Sequence, residues 1–260
     1  MQFVQTAERV SHKDRSDNYV FQRSILAYVE AAKYVSGKVL EIGTGSGYGI
    51  ELIASHAREF VTVDKYKPAI LDEPGMAAKA NVHFLQMTVP PLKGIPDGTF
   101  DFVISFQVIE HIEEDKKFVG EIHRVLKPGG KFILTTPNRP MSLTRNPWHV
   151  REYTPRELER CLKTAFAHVE QLGVFGNEKV QAYYEKNKAA VKRITRFDIL
   201  NLQYRLPRQL LQIPYDLLNR MNRQKLLKSD ATLVSDISMD DFFLAPASDT
   251  CLDLFFVAEK

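Results

Sequence analysis

The strongest constraint on the fold is a glycine-rich turn that follows a short apolar segment. Residues 39–42, Val-Leu-Glu-Ile, have the composition expected of a buried parallel strand. Glycines then occupy alternate positions, at Gly43, Gly45, Gly47 and Gly49. Glycine adopts positive φ angles and lets a ligand approach the backbone closely. The residues after the turn return to helical spacing, and a strand, glycine turn and helix in this order present backbone N–H groups to a nucleotide-like ligand.

The spacing of these glycines disfavours two common nucleotide-binding motifs. A dinucleotide fingerprint requires G-x-G-x-x-G, and Tyr48 stands where its third glycine belongs. The G-x-x-x-x-G-K-[ST] pattern of a phosphate-binding loop is absent from this turn. The acidic side chain of Glu41, inside the strand, would repel a diphosphate and suits a cationic ligand. An NAD-dependent oxidoreductase is therefore a disfavoured alternative.

A second strand and its acidic end extend this pattern. Residues 60–64 form an apolar run that ends at Asp64, 23 positions after Glu41. A carboxylate at the tip of the second strand can accept two hydrogen bonds from a ribose diol. The alternative is that Asp64 caps a turn or helix before Lys65 and Pro68. Together with the glycine turn upstream, ribose binding is the favoured interpretation.

Further strands end in polar residues that would meet at the same edge of a parallel sheet. Residues 82–86 and 101–107 read as strands, and the second is followed by Glu110 and His111. Residues 121–138 read as a helix, a Pro-Gly-Gly turn and another strand. Ligands of open α/β sheets bind at the carboxyl ends of the strands. His111 would therefore contact substrate or cofactor there, or orient the loop through a backbone hydrogen bond.

These segments resemble class I S-adenosylmethionine (SAM) methyltransferases of the UbiG/UbiE-like, methyltransferase type 11 group. The resemblance rests on residues 39–49 (VLEIGTGSGYG), residues 123–138 (HRVLKPGGKFILTTPN) and residues 146–155 (NPWHVREYTP), and it covers about residues 35 to 172. It implies SAM as cofactor and S-adenosylhomocysteine as product. It also implies cofactor contacts from Glu41, Gly43, Thr44, Gly45, Gly47, Asp64, Lys65, Met87, Thr88, Phe106 and Gln107.

One position departs from the family pattern. The family often carries an aspartate that meets the adenine amino group after the third strand, and Thr88 stands near that place. A hydroxyl is a weaker acceptor than a carboxylate. Met87 would pack on the adenine face instead. The helical pattern of residues 20–34 would cap the cofactor, and Tyr19 or Tyr28 would line the site.

The resemblance implies a Rossmann-like, doubly wound α/β fold. Its sheet would have seven strands, six parallel and the last antiparallel, with an α-helical insertion before that last strand. We expect an N-terminal helical cap, a SAM-binding core, the insertion and the final core strand over residues 1–35, 36–176, 177–248 and 249–260, respectively.

His149 is the candidate general base. It lies in a loop beside the single tryptophan, Trp148, and an imidazole with a pKa of about 6.5 can remove a hydroxyl proton as a methyl group arrives. Alternatively, His149 ties the loop to Glu152 or to a backbone carbonyl. His111 is the second candidate base. Thr154, Pro155 and Glu157 have the spacing of a capping box at the start of the next helix.

The segment between the sixth and last strands has a biased charge. From Asn177 to Lys228 the sequence has 12 Lys and Arg against 4 Asp and Glu, and tyrosines and leucines are interleaved. Such helices would form a lid over the SAM cleft, a basic amphipathic surface on a membrane, or an RNA-binding face. The lid is favoured and the membrane surface comes second. No nucleic acid partner is expected, because no RNA-binding module is visible.

Composition indicates a cytoplasmic enzyme, with peripheral membrane contact through the insertion as a second option. Residues 1–20 have no apolar leader core, and no apolar run has the length of a membrane span. The two cysteines, Cys161 and Cys251, indicate neither a disulfide framework nor a metal site. We expect methyl transfer from SAM to a small-molecule or lipid-like acceptor at oxygen. A non-catalytic SAM-fold binding module is the alternative.

Overall fold

An eight-stranded mixed sheet forms the centre of the computed structural model, which describes residues 14–198 and 200–260. Short apolar runs, alternately contributing to the two faces, form its strands. The strands are β1 (Lys38–Ile42), β2 (Glu59–Asp64), β3 (Val82–Gln86), β4 (Phe100–Phe106), β5 (Leu126–Pro137), β6 (His168–Gly176), β7 (Phe242–Pro246) and β8 (Asp253–Glu259). Their order across the sheet is β3-β2-β1-β4-β5-β8-β6-β7.

Helices pack on both faces of this sheet. The α-helices are α1 (Asn18–Ala32), α2 (Ile50–His56), α3 (Pro74–Ala77), α4 (Asp115–Val125), α5 (Pro155–Leu162), α6 (Glu178–Thr195), α7 (Leu202–Arg205), α8 (Arg208–Ser229) and α9 (Ala231–Asp236). Short 3-10 helices span Arg15–Asp17, Ala69–Asp72, Ile109–His111, Arg139–Met141 and Met239–Asp241. Residues 1–13, part of the predicted N-terminal cap, lie outside the described residues.

The sheet has the predicted class of topology. Strands β1 to β5 pair in parallel, and β8 is antiparallel to both β5 and β6. The prediction of a doubly wound α/β fold with an antiparallel last strand is confirmed. The sheet also carries an eighth strand, β7, at its edge, which pairs antiparallel with β6. Its short apolar run, Phe-Phe-Leu-Ala, lies within the segment predicted as a helical insertion.

Two apolar layers cover the sheet because successive strand residues point to opposite faces. On one face, Val39 and Ile104 join a cluster with side chains of α1, α2, α6, α8 and α9. On the other face, Leu40 and Val103 join a cluster with side chains of α4 and α5. The helices of residues 177–248 therefore share their face of the sheet with α1. None of the described helices combines the length and apolar character needed to span a membrane.

Candidate functional site

A cavity of about 1170 Å³ lies at the carboxyl ends of the parallel strands. Its walls come from the loops after β1, β2, β3 and β4, from α1, and from α6, α7 and α8. The loop of residues 141–149, which follows β5, closes another side. The cavity is thus built where the strand ends of an α/β sheet place a ligand.

The glycine turn folds tightly around the end of β1. Gly43, Gly45 and Gly47 have φ angles of 90°, 58° and 83°, which disfavour any residue with a side chain. A Cβ on Gly43 would lie 2.3 Å from Val108, and one on Gly47 would lie 2.5 Å from Ile70. A Cβ on Gly45 would meet no atom within 4 Å, and Gly45 lines the cavity. Gly45 is therefore the point at which a ligand can approach the backbone.

Glu41 lies beneath this turn, outside the cavity wall. Its Oε1 accepts a hydrogen bond of 2.8 Å from the Tyr28 hydroxyl, and its Oε2 accepts one of 2.5 Å from Thr62. The Thr62 and Thr44 hydroxyls are themselves hydrogen-bonded. Burial raises the pKa of the Glu41 carboxyl, while the two hydroxyl donors oppose this shift. Glu41 would thus contribute to cofactor binding indirectly, by stabilising the conformation of the glycine turn.

Asp64 connects the end of β2 to the glycine turn. Its Oδ2 accepts the Gly45 N–H at 2.9 Å, and its Oδ1 accepts the Tyr66 N–H at 2.9 Å. The second bond is the turn cap that was the alternative interpretation of this residue. Asp64 and Lys65 also line the cavity, so the same carboxylate is available to a ligand.

The remaining predicted cofactor residues form the neighbouring wall. Met87, Thr88, Phe106 and Gln107 all line the cavity. The backbone of Gln107 has a φ of 56°, and its Nε2 donates to Thr135 Oγ1 at 3.3 Å. Among the predicted cofactor residues, Glu41 and Gly47 are the two that do not reach the cavity surface.

The two candidate bases both line the cavity and lie beside each other. The rings of His111 and His149 pack edge to face, with centroids 5.0 Å apart. Nδ1 of His149 lies 2.7 Å from Glu152 Oε1, and its Nε2 lies 2.9 Å from Asn146 Nδ2. Because the carboxylate accepts and the amide donates, these partners fit a neutral imidazole protonated at Nδ1.

The side chain of His111 contacts the main chain of the same loop. Its Nδ1 lies 3.1 Å from the Trp148 carbonyl, so His111 has the loop-orienting hydrogen bond that the sequence offered as one interpretation. The preceding residue, Glu110, is fully buried, and its carbonyl accepts the N–H groups of Val150 and Arg151. These bonds fix the loop after β5 to the end of β4.

The buried Glu110 side chain completes a cluster with the two histidines. Its Oε2 accepts a 2.9 Å hydrogen bond from Thr136, whereas Oε1 has no hydrogen-bond partner among the described residues. Burial raises the pKa of the Glu110 carboxyl, and the neighbouring His111 and His149 oppose this shift. Glu110, His111 and His149 each offer a ligand atom, and these atoms lie within 4.8 Å of one another. No metal site was expected from the sequence, where no pattern indicates this grouping.

Comparison with known proteins identifies the family. Residues 40–134 match the model of the methyltransferase domain. A probable S-adenosylmethionine-dependent methyltransferase of Mycolicibacterium smegmatis is 31% identical over 266 residues, which cover 98% of this chain and 94% of that protein. The chain belongs to the SAM-dependent methyltransferases. The predicted family and enzyme class are confirmed, and the oxidoreductase alternative is set aside.

Two further comparisons concern part of the chain and its fold. A ubiquinone biosynthesis O-methyltransferase of Rickettsia typhi is 29% identical over 123 residues, covering 46% of this methyltransferase and 48% of that protein. The crystal structure of YcgJ from Bacillus subtilis matches with a TM-score of 0.53 at 19% identity, covering 90% of this chain and 97% of that chain. The structural match supports the fold.

The geometry of the cavity fits the cofactor of this family, SAM. Open backbone at Gly45 and the carboxylate of Asp64 suit the amino acid and ribose parts of SAM, and Met87 and Phe106 offer apolar surface to its base. Residues of the methyltransferase that would hold the cofactor therefore come from the turn after β1 and from the ends of β2, β3 and β4.

An ion pair at the cavity was not anticipated from the sequence. Arg23 of α1 lies 2.9 Å from Asp253 of β8, and both residues line the cavity. Burial raises the pKa of the Asp253 carboxyl, and the charge of Arg23 opposes this shift. Asp253 is buried, and its Oδ1 has no hydrogen-bond partner among the described residues.

Contacts from α7 and α8 hold these helices against the loop that carries His149. Trp148 Nε1 donates to Asp216 Oδ1 at 3.0 Å, and Arg208 Nη1 donates to the His149 carbonyl at 3.2 Å. Arg145 donates to the Gln203 carbonyl at 2.9 Å. The wall formed by the insertion is thus coupled to the candidate base.

Proposed function

We propose that this methyltransferase moves the methyl group of SAM to a hydroxyl oxygen of a small-molecule or lipid-like acceptor, with His149 as the general base. The observation that carries the proposal is the His149–Glu152 pair, 2.7 Å between Nδ1 and Oε1, at the cavity wall. A carboxylate on Nδ1 fixes the tautomer in which Nε2 is the basic nitrogen.

The bound cofactor supplies a methyl group already activated on sulfur, so the protein needs no nucleophile of its own. The chain aligns the acceptor oxygen, excludes water and accepts the proton. The oxygen–methyl bond would form as the sulfur–methyl bond breaks, and His149 Nε2 would receive the hydroxyl proton. The acceptor hydroxyl would replace Asn146 Nδ2 at that nitrogen, and Glu152 would stabilise the resulting imidazolium.

The oxygen and the lipid-like character of the acceptor draw support from two observations. The partial relative from Rickettsia typhi is named as an O-methyltransferase of ubiquinone biosynthesis. The part of the cavity wall that α7 and α8 contribute includes the apolar side chains of Leu202, Leu211 and Leu218. A hydrophobic wall with a few polar groups favours an acceptor with substantial apolar surface.

A divalent cation is a second candidate for favouring the deprotonated hydroxyl. Glu110, His111 and His149 would hold it, and the buried Glu110 Oε1 without a described partner is the observation that favours it. Carboxylate and imidazole together suit Zn²⁺ and other transition metals. The Nδ1 partners of both histidines, Glu152 and the Trp148 carbonyl, are those that orient metal-binding imidazoles in proteins.

Transfer of radiolabelled methyl from SAM into an extract of cells lacking this protein tests the proposal. We expect label on an acceptor that partitions into organic solvent, and loss of that label with His149→Ala although SAM still binds. Label released by mild alkaline hydrolysis would indicate a methyl ester, and label on nitrogen or carbon would likewise contradict a hydroxyl acceptor. Absence of label with intact SAM binding would favour the non-catalytic alternative.

A further inference from the structure

Helix α8 exposes an apolar stripe to solvent. Leu210, Ile213, Leu217 and Met221 are 65%, 81%, 61% and 57% exposed. Their spacing of three or four residues places them on one face of the helix. An amphipathic helix of a globular protein normally turns such a face toward the core, so this stripe calls for a partner outside the described fold.

The stripe belongs to a larger surface, which we term the α6–α8 apolar face and define as the exposed hydrophobic side chains of residues 194–221. Ten of the thirteen large hydrophobic side chains that are exposed among the described residues lie in this range. They include Phe197 and Tyr204, in the connection between α6 and α8. The exposed apolar surface of the described residues is thus concentrated in one segment of the chain.

Positive charge borders this face. Residues 190–229 contain nine Lys and Arg but two acids, Asp198 and Asp216. Asp198 accepts the N–H groups of α7, and Asp216 accepts the Trp148 indole N–H, so both acids face inward contacts. Lys225 and Lys228 continue the α8 stripe, four and seven residues after Met221, and form no ion pair with the described residues.

The same face continues into the cavity. Ile194, Phe197, Leu202 and Leu218 are exposed to solvent and also line the cavity that holds the predicted cofactor residues. The α6–α8 apolar face and the cavity that His149 lines therefore share these four side chains. Apolar side chains shared between a surface and a substrate cavity are expected where the acceptor comes from a lipid phase.

We propose that the α6–α8 apolar face docks on the surface of an anionic lipid bilayer, where the acceptor enters the cavity. The apolar stripe would insert among the acyl chains, and the bordering lysines and arginines would meet lipid phosphates. The excess of positive charge argues for an anionic membrane over a second copy of the chain, whose same face would carry the same charge. The inference that the acceptor comes from the bilayer rests on the proposed methyl transfer. Docking itself is measured without any methyl-transfer assay.

Vesicle flotation with purified full-length protein tests the docking. We use phosphatidylcholine vesicles, with and without about one third phosphatidylglycerol, at low and high salt. We expect binding to the anionic vesicles at low salt and weaker binding at high salt. The Ile213→Ser/Leu217→Ser variant should bind at least about tenfold more weakly, because it removes apolar surface from the contact. Lys225→Gln/Lys228→Gln should lower binding to anionic vesicles specifically.

Leu85→Ser/Phe243→Ser is the matched control, since both side chains are exposed hydrophobics outside the face. This variant should bind vesicles as the unmodified protein does, and SAM calorimetry establishes that every variant is folded. Absence of vesicle binding with intact SAM binding would overturn the docking but not the proposed methyl transfer. Equal binding by the Ile213→Ser/Leu217→Ser variant would also overturn it, as would a dimer in analytical ultracentrifugation that this variant dissociates.

Discussion

Glu152 Oε1 lies 2.7 Å from Nδ1 of His149, and the two residues are separated by one short loop segment. Because His149 is 8% exposed, this contact holds the imidazole in a low-dielectric environment. The carboxylate also accepts a hydrogen bond from Ser142, which joins the two ends of the loop after β5. The pair is thus a positioned base with a carboxylate that would stabilise its protonated form.

Removal of the base should lower turnover without affecting cofactor affinity. His149→Ala is expected to reduce kcat by about 10²- to 10⁴-fold, the usual contribution of a general base. Glu152→Gln keeps an acceptor near Nδ1 but removes the charge, so we expect a smaller loss. The measurements are single-turnover methyl transfer and SAM calorimetry. The control is His83→Ala, an exposed histidine on β3. Near-normal turnover of His149→Ala would exclude the base.

Gly45 can be tested against a glycine with the same backbone conformation. Gly45 and Gly98 both have φ angles of 58°, and a Cβ on either would meet no atom within 4 Å, but only Gly45 lines the cavity. Alanine at either position should cost roughly 1–2 kcal/mol of stability through the positive φ. Gly45→Ala should in addition weaken SAM binding by about tenfold, which corresponds to 1.4 kcal/mol. Equal SAM affinities of the two variants would contradict a ligand contact at Gly45.

The raised pKa of Glu41 predicts a pH-dependent difference in stability. The folded-state pKa lies above the ordinary value of 4.5, so the stabilisation from this carboxyl is present below that value and is lost as the pH rises through the folded-state pKa. Glu41→Gln cannot ionise, so its melting temperature relative to the unmodified protein should increase as the pH rises over that range. Thermal unfolding monitored by circular dichroism measures this difference.

Glu51→Gln, on the exposed side of α2, is the control for this comparison. Its melting temperature should follow that of the unmodified protein more closely across the same pH range. A difference for Glu41→Gln that stayed constant or fell with rising pH would show that burial does not dominate the environment of Glu41.

Features that depend on neighbours in sequence could be predicted. The capping box of α5 has both partners within three residues: Thr154 Oγ1 accepts the Glu157 N–H, and Glu157 Oε2 accepts the Thr154 N–H. The end of β2 at Asp64 could be predicted for the same reason, since apolar runs and turn residues mark strand ends locally. Strand β4 ends at Phe106, one residue before the predicted end at Gln107.

Features that depend on the packing of distant segments could not be predicted. The Arg23–Asp253 pair joins residues that are 230 positions apart, and no local pattern relates them. Strand β7 was included in the predicted helical insertion because a run of five residues has no period that separates strand from helix. The solvent exposure of the α8 stripe could not be predicted either. Helical spacing identifies an apolar face but does not show whether other elements pack against it.

Metal binding separates the two ways of activating the acceptor hydroxyl. We expect protein treated with EDTA to bind Zn²⁺ or Mn²⁺ in calorimetry, and Glu110→Gln to weaken this binding by about tenfold or more, because it removes the only anionic ligand of the cluster. Glu121, whose carboxylate pairs with Arg124 on α4, provides the control. Glu121→Gln should leave the metal affinity unchanged.

The activity of the same samples then decides the mechanism. If His149 acts as the base, EDTA leaves methyl transfer unchanged, because the imidazole and not a cation receives the hydroxyl proton. If the cation activates the acceptor, EDTA abolishes transfer, the metal restores it, and Glu110→Gln loses activity while still binding SAM. The cation mechanism would be excluded if the protein binds no metal, or if Glu110→Gln binds metal as well as the unmodified protein does. The Glu110 Oε1 without a described partner would then be a structural feature of the loop only.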